Sequence, residues 1–160
     1  MWFVQVMLVG IAATLLADIW QRGLSITTGL PSANWAMIGR WVAGFRRGVF
    51  VHDAIWTSPE VAGELTVGWV FHYAVGVIYA AAFLAIVAWL GASAPPLLVA
   101  GLVFGLATVA VPWFVMQPAL GLGIMAADAP NRLALRIVTV STHLVFGLGL
   151  YLGWLAWDAI

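Results

Sequence analysis

The sequence contains no cysteine and no lysine, and only 8% of its 160 residues are charged. Without cysteine, the chain can form no disulfide and no thiolate-ligated zinc or iron–sulfur site. Its six basic residues, all arginines, balance six acidic residues and form no basic run, so we expect no nucleic-acid partner. A soluble domain is about a quarter charged. This scarcity of charge therefore excludes a water-soluble globule.

Hydrophobic residues make up 64% of the chain and fall into four long segments, at about residues 2–20, 65–90, 97–116 and 133–157. Each is close to the ~20 residues that a helix needs to cross a hydrocarbon core. The first lacks a basic n-region, so we interpret it as a retained helix and not as a signal peptide. The prediction is an all-α protein: a four-transmembrane-helix bundle, with residues 1–160 as one integral membrane domain in contact with the lipid bilayer.

The arginines indicate the orientation of this bundle. They lie between the first and second segments and at the start of the fourth, and the other connections and both termini have none. Positive residues favour the cytoplasmic side. We therefore expect the first and third loops in the cytoplasm and both termini on the non-cytoplasmic side. The residues concerned are Arg22, Arg40, Arg46, Arg47, Arg132 and Arg136.

The long first loop, over residues 21–64, has a helical pattern of its own. Ser32 or Asn34 is a suitable N-cap for a short helix that starts near Trp35. One interpretation is an amphipathic helix in the headgroup region, with Arg40 turned away from its apolar face. The other is a helix buried against the bundle. The apolar face comprises Trp35, Ile38, Trp41, Val42 and Phe45.

Each long segment has one stripe of small or polar residues. Small residues let helix backbones approach closely in lipid, and polar residues avoid hydrocarbon by facing the bundle interior. Both tendencies select the same face, so we expect the four stripes to meet. They are Gly10, Thr14 and Asp18; Glu64, Gly68, His72, Gly76 and Ala80; Gly101, Gly105 and Thr108; and Arg136, Thr139, His143 and Gly147.

Two histidines, His72 and His143, lie about ten residues inside membrane-spanning segments, where ionisable groups are costly and usually functional. We predict a cytoplasm-facing polar cavity with these imidazoles at its floor, about 12 Å from the helix ends. Near Gln117, Pro112 and Pro118 indicate either a broken helix that helps to bind a solute or a helix that ends in a turn. The predicted ligand-binding residues are Asp18, Glu64, His72, Gln117, Arg136 and His143, with Arg40, His52, Tyr73 and Tyr151 as a second set.

Several functions fit such a cavity. The favoured hypothesis is binding or transport of a small ligand, with proton coupling through the histidines and with Arg136 available to hold an anion. Four helices are few for a carrier, so we expect a homodimer or a larger membrane complex. The alternative is a haem- or metal-binding membrane protein with His72 and His143 as ligands.

Two further hypotheses remain open. An enzyme acting on a lipid or isoprenoid could use His52, Asp53 and Glu60, but no catalytic motif is present and we favour a non-enzymatic function. A structural or accessory subunit would use the same polar residues only to hold the helices together.

The chain also resembles a bacterial family of short, four-helix inner-membrane proteins that is known only as a domain of unknown function. The resemblance implies this topology and location in the bacterial inner membrane, and it implies no activity. The motifs that carry it are Pro31-Ser32 with Asn34-Trp35 and Gly39-Arg40-Trp41; Gly63-Glu64 with Gly68-Trp69 and His72-Tyr73; Met116-Gln117-Pro118 with Gly121 and Gly123; and His143 with Phe146-Gly147, Gly149 and Tyr151.

Overall fold

A computed structural model describes residues 1–159 and contains four helical spans long and apolar enough to cross a membrane. The protein is thus the multi-pass, all-α membrane protein that the sequence predicts. The third span, Leu97–Ala119, is not uniform. In chain order the helices are α1 (Trp2–Thr28), α2 (Trp35–Gly44), α3 (Glu64–Leu90), α4 (Leu97–Thr108), a π-helical segment (Pro112–Met116), the single turn α5 (Gln117–Ala119) and α6 (Arg132–Asp158).

Helix α1 is longer than its apolar segment. It continues from the predicted end near residue 20 to Thr28, and it stops at Gly29, whose φ of 71° places it in the left-handed region. The Gly29 N–H donates to the Ser25 carbonyl at 3.0 Å. Glycine adopts this conformation without a steric penalty and commonly ends helices in this way. Hydropathy measures the part of a helix that lies in hydrocarbon, so it did not detect the polar continuation.

The four spans pack in the order α3, α1, α6, α4, and their glycines bring the backbones together. A Cβ added at Gly10 of α1 would lie 2.7 Å from the Val77 Cα of α3. A Cβ at Gly101 of α4 would lie 2.6 Å from the Gly147 carbonyl oxygen of α6. The predicted stripes of small residues therefore do face one another across the helix contacts.

Helix α2 is capped by Asn34, whose Oδ1 accepts a hydrogen bond from the Met37 N–H at 3.2 Å. It packs on the start of α3, as the second interpretation of the first loop proposed. Neither helix has room for a side chain at the contact. A Cβ at Gly39 would lie 1.8 Å from the Glu64 carbonyl oxygen, and a Cβ at Gly68 would lie 1.9 Å from the Trp35 carbonyl oxygen.

The gap between α3 and α4 is closed differently at its two ends. At one end of the bundle, the Phe104 ring of α4 lies 5.5 Å from the Phe83 ring of α3. At the other end α2 lies between the spans, and its residues Ile38 and Trp41 pack with Leu120, just after α5. We call this second end, which also carries the end of α1 and the starts of α3 and α6, the α2 end.

Candidate ligand-binding cavity

A cavity of about 390 Å³ lies inside the α2 end. This volume is within the range of ligand pockets, about 300–1,000 Å³. Its walls come from α1, α2, α3, the π-helical segment, α5 and α6, and they are mostly apolar. Four of the six predicted ligand-binding residues line it: Asp18, His72, Gln117 and His143.

Asp18 and His72 form a hydrogen-bonded pair between α1 and α3. The His72 Nε2–H donates to Asp18 Oδ1 at 2.8 Å, and the Tyr73 hydroxyl donates to Asp18 Oδ2 at 3.1 Å. Trp35, the first residue of α2, stacks on the imidazole with the ring centroids 3.8 Å apart. Both carboxylate oxygens are thus engaged, and the orientation of the His72 ring is fixed from two sides.

His143 of α6 is oriented by Thr108 of α4. The Thr108 hydroxyl donates to the Gly105 carbonyl at 2.6 Å and lies 2.8 Å from His143 Nδ1. The hydroxyl proton can satisfy only one of these two groups, and a carbonyl can only accept. Both contacts are therefore made when His143 Nδ1–H donates to the hydroxyl oxygen. In that tautomer of the neutral ring, Nε2 is left as a hydrogen-bond acceptor.

The π-helical segment determines where Gln117 points. The Gln117 N–H donates to the Pro112 carbonyl, five residues earlier, so the helix accommodates one extra residue here. In an unbroken α-helix Gln117 would stand about 180° around the axis from Thr108. The extra residue reduces this angle to about 80°. The helix is not broken at Pro112, because the wider turn accommodates it. It ends at Ala119, two residues after Gln117, as the second predicted alternative has it.

Two polar groups of the cavity have no hydrogen-bond partner among residues 1–159. They are the Oε1 of Gln117 and the hydroxyl of Thr142 on α6. Gln117 is only 5% exposed, so lipid and bulk water cannot supply the missing bond. A buried polar group without a partner costs about 1–3 kcal/mol.

Glu64 and Arg40 lie outside the cavity and pair with each other. Arg40 Nε and Nη2 donate to the two Glu64 carboxylate oxygens, both at 2.8 Å. Arg40 Nη1 donates to the Ser58 carbonyl at 2.7 Å, and the Glu64 carboxylate also accepts from the Val61 N–H. The hydrogen bond to Glu64 raises the pKa of the Arg40 guanidinium despite its burial, so this arginine stays charged. Glu64, which was predicted to ring the cavity, therefore does not line it, and neither does Arg40 of the second predicted set.

The remaining predicted residues do not line the cavity. Arg136 does not line the cavity either, because its Nε donates to the Met125 carbonyl at 2.8 Å. His52 Nδ1 lies 3.0 Å from the Ser58 hydroxyl in the first loop. Tyr151 lies beside Gly101, away from the α2 end.

A protein family described as a protein of unknown function, DUF2938, matches residues 7–156. The chain belongs to this family. No curated protein and no solved structure matches it. All the polar cavity residues named above lie inside the matched range, and the family description adds no activity to them.

The positions of His72 and His143 in the cavity also bear on the haem and metal alternative. Within residues 1–159, no three or more histidine, aspartate or glutamate side chains form a group that could hold a metal ion. His72 Nε2 is engaged with Asp18, and His143 Nδ1 with Thr108. Each histidine therefore has one ring nitrogen left for any further ligand.

Sequence reasoning missed three features of the site. Trp35 was assigned to the apolar face of α2, and its stacking on His72 had no signal in the sequence. Thr142 lies next to His143 but is not part of the polar stripe predicted for this helix. The pairing of Arg40 with Glu64 could have been inferred, since a buried glutamate at a helix start needs a cation nearby.

Proposed function

We propose that this membrane protein binds a small ligand inside the cavity at the α2 end. The observation that carries the proposal is the buried amide of Gln117, which lines the cavity with its Oε1 unpaired. Buried polar groups are nearly always hydrogen-bonded, and an exception calls for an explanation. A ligand that donates to this oxygen supplies one.

The contrast with Arg40 and Glu64 argues against a purely structural role for the cavity residues. That pair shows how this chain holds helices together when stability is the purpose, with charge and hydrogen bonds satisfied within the protein. Polar residues that only joined the spans would be expected to satisfy one another in the same way. Gln117 and Thr142 do not.

We further propose that ligand binding is coupled to a proton on the pair of Asp18 and His72. Histidine is the side chain that most readily changes charge near neutral pH. The titratable groups that contact His72 are Asp18 from α1 and Tyr73 on its own helix, and His143 lines the same cavity from α6. On α2, Trp35 contacts the ring and Arg40 is bound to Glu64.

For the membrane location, orientation and assembly of the protein, we keep the predictions made from the sequence. We propose that the α2 end faces the cytoplasm of a bacterial inner membrane, since all six arginines lie at that end. Binding could serve transport, and the protein could act as a homodimer or in a larger complex.

Occupancy of the cavity can be measured because the chain has no native cysteine. In Thr142→Cys, the single thiol should react with N-ethylmaleimide in lipid nanodiscs, and an occupant should slow the reaction. The probes are five ten-carbon compounds: decane, 1-decanol, decyl methyl ether, decylamine and decanoate. Ile137→Cys is the control, because Ile137 is on the same helix, 48% exposed and outside the cavity.

We expect at least one probe to slow labelling of Thr142→Cys more than that of Ile137→Cys. If all five affect the two thiols equally, the cavity binds none of these classes and the proposal is wrong. A haem absorption band in the purified protein would support the haem alternative instead.

Replacement of Asp18 tests the proton coupling. Between about pH 5 and 8, where histidine usually changes charge, protection of Thr142→Cys should vary with pH. We expect that the substitution Asp18→Asn, added to Thr142→Cys, removes most of this variation, because the His72 imidazolium loses its counter-ion. Asp128→Asn, which changes an exposed carboxylate outside the cavity, should leave the variation unchanged. A pH profile identical in all three proteins would exclude the coupling.

A further inference from the structure

Building on the proposed function, we infer that the ligand is a neutral, mainly apolar molecule with a hydroxyl or N–H group that donates to Gln117 Oε1. The inference rests on three properties of the cavity: the kind of hydrogen-bonding groups left free, the partners that its charged side chain already has, and the contact of its wall with lipid.

The free groups include two acceptors, and the Gln117 amide can also donate through its Nε2. Gln117 Oε1 is a carbonyl oxygen and can only accept. His143 Nε2 is also an acceptor when the neutral ring donates through Nδ1 to Thr108. A ligand with acceptors alone, such as an ether or an ester, would leave both unsatisfied. The Thr142 hydroxyl can donate as well as accept, so it can either donate a hydrogen bond to a ligand hydroxyl or accept one from it.

The carboxylate of the cavity is already hydrogen-bonded within the protein. Asp18 is its one carboxylate, and both Asp18 oxygens accept hydrogen bonds from His72 and Tyr73. Within residues 1–159 no arginine lines it, because Arg40 is bound to Glu64 and Arg136 to the Met125 carbonyl. Burial of a ligand charge without a counter-ion is costly. Because Arg136 does not line the cavity, an anionic ligand has no arginine to pair with there, and an uncharged ligand is favoured.

The wall of the cavity reaches the lipid-facing surface. Val111, just before the π-helical segment, both lines the cavity and is 43% exposed. Val75 and Tyr79 of α3 line the same cavity. The lining around this point is apolar and aromatic, so an apolar chain is suited to it. A lipid-soluble ligand can therefore reach the site from the bilayer.

The labelling assay on Thr142→Cys distinguishes the chemical classes. We expect 1-decanol to protect the thiol at concentrations about fivefold lower than decyl methyl ether, as for one neutral hydrogen bond. Decane should resemble the ether, and decylamine and decanoate should protect less than decanol. With Gln117→Met added, which keeps the side-chain length and removes the amide, decanol and the ether should protect equally.

Each outcome decides between the ligand classes. Protection by decylamine or decanoate but not by decanol would overturn this inference and leave the proposed binding function intact. Equal protection by decanol and the ether in Thr142→Cys alone would also overturn it, and that comparison requires no change at Gln117. Absence of protection by every probe is the outcome that defeats the proposed function itself.

Discussion

Two polar clusters at the α2 end differ in whether they are complete. One, the α2 clamp, comprises Arg40, Glu64 and the glycine contact of Gly39 with Gly68, and Arg40 uses all three guanidinium nitrogens. The other is the cavity, where Gln117 and Thr142 keep unpaired groups. The difference suggests that this chain separates holding its helices together from presenting polar groups to a ligand.

Alanine at Gly39 would break the clamp and should have the largest effect. The new Cβ would meet the Glu64 backbone at 1.8 Å, and neither helix backbone can yield locally. We expect α2 to be displaced from α3, with a loss of about 4 kcal/mol or more in the free energy of unfolding. The measurement is unfolding in mixed detergent micelles.

The matched control for Gly39→Ala is Gly23→Ala. Gly23 is also helical, and a Cβ there would meet nothing within 4 Å. Alanine should stabilise that site by up to about 1 kcal/mol through its higher helix propensity. Equal stabilities for the two variants would show that the clamp contact is not needed.

Truncation of Arg40 should have the next largest effect. Arg40→Ala leaves the Glu64 carboxylate buried beside α2 without its cation, which typically costs about 3–5 kcal/mol. Because the cost comes from the unpaired charge, the double variant Arg40→Met, Glu64→Leu should recover much of it. Unfolding measurements on the single and double variants test this. No recovery in the double variant would mean that the lost packing of Arg40, and not its charge, dominates.

A change inside the cavity should have the smallest effect, and one of opposite sign. Thr142→Val removes a hydroxyl that has no partner, so we expect the ligand-free protein to gain about 1 kcal/mol in stability. Thr139→Val, one turn away, removes a hydroxyl that donates to the Leu135 carbonyl at 2.7 Å and should lose about that amount. Thermal unfolding of both variants tests the comparison. If both are destabilised alike, the Thr142 hydroxyl has a partner.

The parts of the site that could be predicted from sequence are those fixed by helix periodicity within one span. Asp18, His72 and His143 lie on the small-residue stripes, and the preference of polar groups for the bundle interior brings them into one cavity. The same logic does not extend far along a helix. Glu64 precedes His72 by eight residues, which turns it about 80° around the axis. That turn directs it to α2 and away from the cavity.

The remaining features depend on how loops return to the bundle. Arg136 is nearly in line with His143 on α6, yet it binds Met125 because the turn after α5 folds back over it. Gln117 was placed at the correct boundary, but its inward direction depends on the extra residue of the π-helical segment. Neither the path of a loop nor the site of a π-turn can be read from hydropathy, because both are set by tertiary contacts.

The lengths of the spans bear on how the pocket is hydrated. Helices α1, α3 and α6 have 27 residues each, or about 40 Å, against a hydrocarbon thickness of about 30 Å. If the excess is shared between the two faces, the imidazole of His72 lies about 7 Å below the nearer hydrocarbon boundary. Water that penetrates the interface can reach that depth, whereas the bilayer midplane stays dry. Thicker bilayers would therefore surround the imidazole with a less hydrated medium, so lipid composition could tune the site without any change in the protein.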